Sequence, residues 1–272
     1  MCNKPDLSNY DIVGRGYMTT RQKKTCPPLV HKPTLALLKP DRVQRSPALA
    51  IPAACEPVHA VANSRHFADV WPLVERILKE ADPRTSCVVL DIDATALIHL
   101  SDGEKEKRRS RSRSRSRRGS RGSRKRRDEE VATEGVRINA NIRKIYTLAL
   151  ARRIQVHFVT ARVEEGRRYT IHQLNGLGYD RFTSLSMCPS KYRTPLQVSK
   201  FKFETRKEIA RVYCRNIVLN AGDQWTDVKR FARLDTFKAC DAGPHSHYVL
   251  FQPKNDEPEV SWALKLPNRG YD

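Results

Sequence analysis

The apolar positions of the chain fall into two alternating rhythms. Short apolar runs at Cys87–Leu90 ("CVVL"), Ile154–Val159 ("IQVHFV") and Asn216–Leu219 ("NIVL") carry β-branched residues and predict three strands. Between them the period is helical. Leu73, Val74, Ile77, Leu78 and Ala81 share one face, with Pro72 where a first helical turn tolerates it. Ile138, Ile142, Ile145 and Ala149 repeat at helical spacing before the second strand, and a helix over Thr170–Leu177 closes on Gly178 as its C-cap. Strands alternating with helices predict a parallel sheet covered on both faces, a three-layer α/β class.

Two segments lack either rhythm. Residues 1–64 are rich in proline and read as a disordered arm, so the folded domain is expected over 65–272. Residues 101–130 interrupt that domain with an Arg-Ser repeat that cannot bury apolar surface and repels itself, which predicts a disordered insertion between the first strand and its crossover helix. No fold can be read for residues 235–260.

Charge sharpens the picture of the insertion. The chain has 272 residues and a formal net charge of +21, and Lys105 to Arg127 holds fourteen Lys or Arg against one Glu. The basicity is therefore largely one local tract, suited to RNA or another polyanion. Ser110, Ser112, Ser114 and Ser116 each stand beside Arg, the pattern of an Arg-Ser-directed kinase substrate. The N-terminus lacks the basic start and apolar stretch of a secretory signal, and no apolar run approaches a membrane span. Seven cysteines without CxxC pairs fit free thiols in a reducing compartment, so an intracellular location, cytoplasmic or nuclear, is expected.

Candidate chemistry sits where the strands end. The first run leads into Asp91 and Asp93, the second into Thr160, and the third passes through Ala221 and Gly222 into Asp223, with Asp227 four residues later. In an open parallel sheet the carboxyl ends of the strands line the ligand crevice, so these side chains should converge. Several carboxylates in one crevice require a counter-charge, and a hard cation such as Mg2+ supplies it. One carboxylate can then attack phosphorus, a second two residues on can act as acid and base, and a hydroxyl and a lysine can hold phosphoryl oxygens.

The segments "DIDAT", "HFVTAR" and "NAGDQWTD" resemble the motifs of the haloacid dehalogenase-like hydrolases. "FVTARVEEGRRYTIHQLNGLGYDRF", "FKFETRKEI", "GDQWTDV" and the closing "LKLPN" are similar to its acid phosphatase branch, subfamily IIIB, which includes plant acid phosphatases and vegetative storage proteins. The resemblance spans about 67–100 and 131–272. It implies a Rossmann-like parallel sheet with a haloacid dehalogenase-like core and a Mg2+-dependent phosphomonoesterase. It further implies Asp91 as nucleophile, Asp93 as general acid and base, and Thr160 and Lys202 on the phosphoryl group. Mg2+ would be bound by Asp91, Asp223 and the backbone carbonyl of Asp93, and Asp227 would hold a metal-bound water or orient Lys202. Lys200 and Lys207 lie close to Lys202 and are its rivals. Ala94 stands where the branch usually has Glu, and Ala161 replaces the Gly of its TGR motif; neither departure removes a catalytic group. The substrate it implies is a phosphomonoester. A rival reading, prompted by storage proteins that lose the nucleophile, is a binding protein whose Arg-Ser tract docks RNA or a nuclear partner, and the retained Asp91 favours the enzyme.

Overall fold

The run Ser86–Leu90 (β2) is buried along its whole length and alternates between two cores, which makes it a central strand. Val88 and Leu90 face a cluster with Val70, Val74, Ile142 and Ile145, while Cys87 and Val89 face one with Ile209, Ala210 and Ile217. Burial of each such side chain is worth roughly 1.5–3 kcal/mol, so the register of this strand is strongly fixed. The computed structural model describes residues 59–100, 135–192, 194–241, 246–253 and 257–267. The expected arm, apart from its last residues 59–64, and the expected Arg-Ser insertion lie outside these described residues.

In chain order the elements are β1 His59–Ser64, α1 Phe67–Glu80, β2, β3 Leu97–His99, β4 Val136–Ile138, α2 Ala140–Ala151 and β5 Gln155–Val163. A single 3-10 turn, Glu164–Gly166, leads into α3 Arg167–Gly176, then β6 Ser184–Cys188, α4 Pro195–Val212 and β7 Asn216–Gly222. The short α5 Trp225–Val228, α6 Leu234–Asp241, β8 Tyr248–Gln252 and β9 Ala263–Lys265 complete the domain. Seven strands form one sheet in the order β1-β8-β9-β7-β2-β5-β6. The five from β9 to β6 run parallel, and α1 and α2 cover one face while α4 covers the other, giving the three-layer α/β class.

Several expectations are corrected. The sheet is mixed: β8 pairs antiparallel with both β9 and β1, and β1 is built from residues the sequence pattern places in the arm. Pro72 lies inside α1 because Phe67 and Val70 are buried with Val74 and draw the helix start upstream. Ile138 belongs to β4 rather than the following helix, whose N-cap is Asn139, its side chain accepting from the Asn141 N–H at 3.1 Å. Cys87 and Cys214 are bonded to each other at a Cα separation of 5.8 Å, since β2 and the end of α4 meet across 127 residues, and this pair departs from the expected free thiols. Among the described residues no helix is long and apolar enough to cross a membrane.

Strands β3 and β4 pair antiparallel outside the main sheet. The Leu100 N–H donates to the Gly135 carbonyl at 2.8 Å, so the chain departs and returns at one point.

Candidate active site

Asp91 follows β2 directly, and its N–H donates to the Ala221 carbonyl of β7 at 2.9 Å, extending the ladder one residue past the strand. The chain then turns through Ala94, whose φ of 53° is the left-handed region that side chains disfavour. The turn separates the two carboxylates of the motif. Asp91 is buried inward among Asp223 and Asp227, whereas Asp93 pairs outward with Arg162 and His99.

Asp91, Asp223 and Asp227 each offer a carboxylate oxygen, all within 4.8 Å of one another, and all three are buried. Lys202 answers part of this charge. Its ammonium donates to Asp91 Oδ1 at 2.8 Å and to Asp227 Oδ1, and burial by itself would favour the neutral amine, but the two carboxylates outweigh it and hold the lysine protonated. This decides among the three candidate lysines by position: Lys202 lies on the buried stripe of α4 with Phe203, Arg206 and Ile209, whereas Lys200 and Lys207 are exposed.

Charge in this cluster remains unbalanced. Burial pushes the Asp91 carboxyl well above its ordinary range against the pull of Lys202, with Asp227 and Asp223 adding to the rise. Burial and the Asp227 charge push Asp223 up to about 7. The Thr95 hydroxyl accepts from the Asp223 N–H at 2.9 Å and donates to Oδ1 at 3.3 Å, which leaves buried Asp223 Oδ2 without a hydrogen-bond partner. An orphaned carboxylate oxygen facing two more carboxylates is what a hard divalent cation fits.

The last motif is braced from outside the cluster. Asp227 Oδ2 accepts from the Gln224 N–H at 2.8 Å, and its carbonyl accepts from Asn220 Nδ2 at 2.8 Å and Arg206 Nη1 at 2.7 Å. Arg206 is itself held by Glu257 through a buried bidentate pair at 2.8 and 2.6 Å. Gly222 has no room for a side chain, because a Cβ there would collide with the Asp227 side chain.

Asp93 has a different environment. Burial raises its carboxyl, yet hydrogen bonds from His99 (2.9 Å) and from Arg162 Nε and Nη2 (2.8 and 2.7 Å) outweigh burial and hold it well below the usual carboxylate range. Thr160 is fully buried within β5 rather than at its end, since that strand continues to Val163 through a register shift between Thr160 and Val163. At that shift the Thr160 hydroxyl accepts from the Arg162 N–H at 3.2 Å, and the arginine turns toward Asp93.

Of the sequence-derived residues, Asp91, Lys202, Asp223 and Asp227 form one cluster, with the Asp93 carboxylate outside it. Sequence reasoning missed Arg162, His99, Thr95 and the brace of Arg206 and Glu257. Arg162 stands two residues after Thr160 in "TAR" and Thr95 two after Asp93 in "DAT", signals available in the motifs; His99 and Glu257 carry none. The sequence model of the HAD superfamily, subfamily IIIB (acid phosphatase), matches residues 47–272. Among solved structures, the class C acid phosphatase from Bacillus anthracis is similar at 15% identity and a TM-score of 0.43, covering 75% of this chain and 77% of that one. No curated protein sequence matches.

Proposed function

The chain belongs to the acid phosphatases of the HAD superfamily, subfamily IIIB, and on that premise we propose that it hydrolyses phosphomonoesters through an aspartyl-phosphate on Asp91, with Mg2+ as cofactor. The observation that carries this reading is the Lys202 ammonium bridging Asp91 and Asp227 beside the orphaned oxygen of Asp223. Mg2+ held by Asp91, Asp223 and the Asp93 backbone carbonyl would neutralise the carboxylates and the phosphoryl oxygens.

In the first half-reaction the Asp91 carboxylate forms a bond to phosphorus as the ester P–O bond breaks, and the departing oxygen takes a proton from the Asp93 carboxyl. In the second, water attacks the same phosphorus and gives its proton to Asp93, releasing inorganic phosphate and the free Asp91 carboxylate. Lys202 and Thr160 hold phosphoryl oxygens throughout. The ionised Asp93 gripped by Arg162 is the form that serves the second half; protonation must accompany loosening of that grip. Hydrolysis of an aryl phosphate by the wild-type chain, lost in Asp91→Asn and in EDTA, tests the reading. Full turnover in either condition rejects the corresponding part.

The Arg-Ser tract belongs to the same proposal. Leu100 and Gly135, the described residues on either side of it, are hydrogen-bonded to each other, and neighbouring His99 touches Asp93. Fourteen basic residues rooted there would concentrate polyanions such as RNA near the crevice, and an Arg-Ser-directed kinase would weaken that attraction by adding charge. The same proposal places the protein in cytoplasm or nucleus, where RNA and such a kinase would meet the tract.

A further inference from the structure

The closing segment "LKLPN" carries a charged residue that the proposed reaction leaves without a role. Lys265 ends β9, is only 1% exposed, and is paired in register with Gly222 of β7, the residue before Asp223. The Leu266 N–H donates to the Gly222 carbonyl at 2.8 Å and fixes the two strand ends side by side. Side chains in register across a parallel ladder share a face of the sheet. On that face of Gly222 a Cβ would meet the Asp227 side chain, and Ala263, two residues before Lys265, packs in one cluster with Trp225. Lys265 is therefore directed to the side of the sheet that bears the last motif.

The Lys265 ammonium donates to the Leu266 carbonyl at 2.7 Å and lies 5.6 Å from the centre of the Trp225 ring, two residues past Asp223. Burying an ammonium is costly unless neighbouring charge compensates. The carboxylate cluster supplies that charge, and the effect is mutual: burial and Asp227 raise the Asp223 carboxyl, and Lys265 pulls against them. With their carboxylates ionised, Asp91, Asp223 and Asp227 carry three negative charges, and Lys202 offsets one of them. A divalent cation would leave that set neutral, and Lys265 makes it positive by one.

We infer that Lys265 is a second buried cation of the site, a positioning residue that acts through Asp223 to lower Mg2+ affinity and to raise affinity for the phosphoryl dianion. The inference rests on the phosphatase reading above and concerns how the site divides its charge between metal and substrate. Like charge opposes the ion and opposite charge attracts the dianion, so one ammonium acts on the two ligands in opposite directions. A lysine that served the fold alone would, when replaced, weaken both.

The test is calorimetric titration of the full chain with Mg2+, and then with inorganic phosphate in saturating Mg2+. Two neutral variants are compared with wild type: Lys265→Met, and Lys265→Gln, which keeps a donor for the Leu266 carbonyl. In both, the Kd for Mg2+ should fall about tenfold and the Kd for phosphate should rise about tenfold. Thermal melts report whether each variant is folded, and one folded variant is enough to decide. Any other pattern in a folded variant, or failure of both to fold, overturns the inference. Wild type that binds no Mg2+ rejects the metal part of the phosphatase reading and the inference with it; wild type that binds Mg2+, with variants that match it, rejects the inference alone.

Discussion

Arg162 grips both oxygens of Asp93, Nε to Oδ2 at 2.8 Å and Nη2 to Oδ1 at 2.7 Å, and is itself tied back to α3 through Gln173 at 2.7 Å. The proposed acid and base is thereby aimed by a side chain that need not touch phosphorus. Arg162→Ala should lower kcat for an alkyl phosphate by about 10²-fold, because a poor leaving group depends on a well-placed proton donor. The loss should be several-fold smaller for p-nitrophenyl phosphate, whose leaving group hardly needs the proton. Equal losses on both substrates would assign Arg162 to phosphate binding instead.

Lys202 donates to two carboxylates of the cluster, whereas Lys200 and Lys207 are exposed on the same helix. Lys202→Met should lower kcat by about 10²–10³-fold. In Mg2+-free buffer it should also destabilise the fold by about 3–5 kcal/mol, since Asp91 and Asp227 lose their buried partner. Lys200→Met and Lys207→Met, measured by the same kinetics and thermal melts, should resemble wild type.

The raised carboxyls of Asp91 and Asp223 give stability a sign with pH. A carboxyl that binds its proton more tightly folded than unfolded stabilises the fold fully below the unfolded value, and that contribution is lost as pH rises toward the folded value, about 7 for Asp223. Above that window the ionised cluster repels itself unless a cation binds. Mg2+ should therefore raise Tm more at pH 8 than at pH 5, checked by melts with and without the ion at each pH. A Tm rise independent of pH would detach the ion from these carboxylates.

How much of this was legible in the sequence varied with burial. β2, β5 and β7 announce themselves because both faces are covered, which forces continuous apolar runs. The three-residue strands β3, β4 and β9 are too short to show a period, and β1 and β8 were missed beside them in the proline-rich arm and in a segment of mixed composition. Asp91, Asp223 and Asp227 were readable because they follow the apolar runs of buried strands, and Lys202 only through the resemblance of "FKFETRKEI". Arg162 stands in the readable "TAR", but its direction toward Asp93 was hidden, because a register shift in β5 sets it. Glu257 was hidden for the same kind of reason, lying in a loop whose position depends on Arg206 across 51 residues.

Separating recruitment from chemistry predicts that removing residues 105–127 leaves turnover of a small aryl phosphate within about twofold of wild type. RNA binding should weaken and lose most of its salt dependence, as fewer counterions are released. Kinetics and a salt titration of RNA affinity on the deleted chain check both halves. Loss of small-substrate turnover in a folded deletion would make the tract part of the catalytic site.

The central claim is that Asp91 becomes phosphorylated during turnover. Rapid acid quench of the wild-type chain mixed with ³²P-labelled aryl phosphate and Mg2+, followed by peptide mapping, tests it most directly. The account predicts acid-stable, hydroxylamine-labile label on the peptide containing Asp91, and none in Asp91→Asn. Turnover that leaves no label on the protein, or label on a different residue, would contradict it.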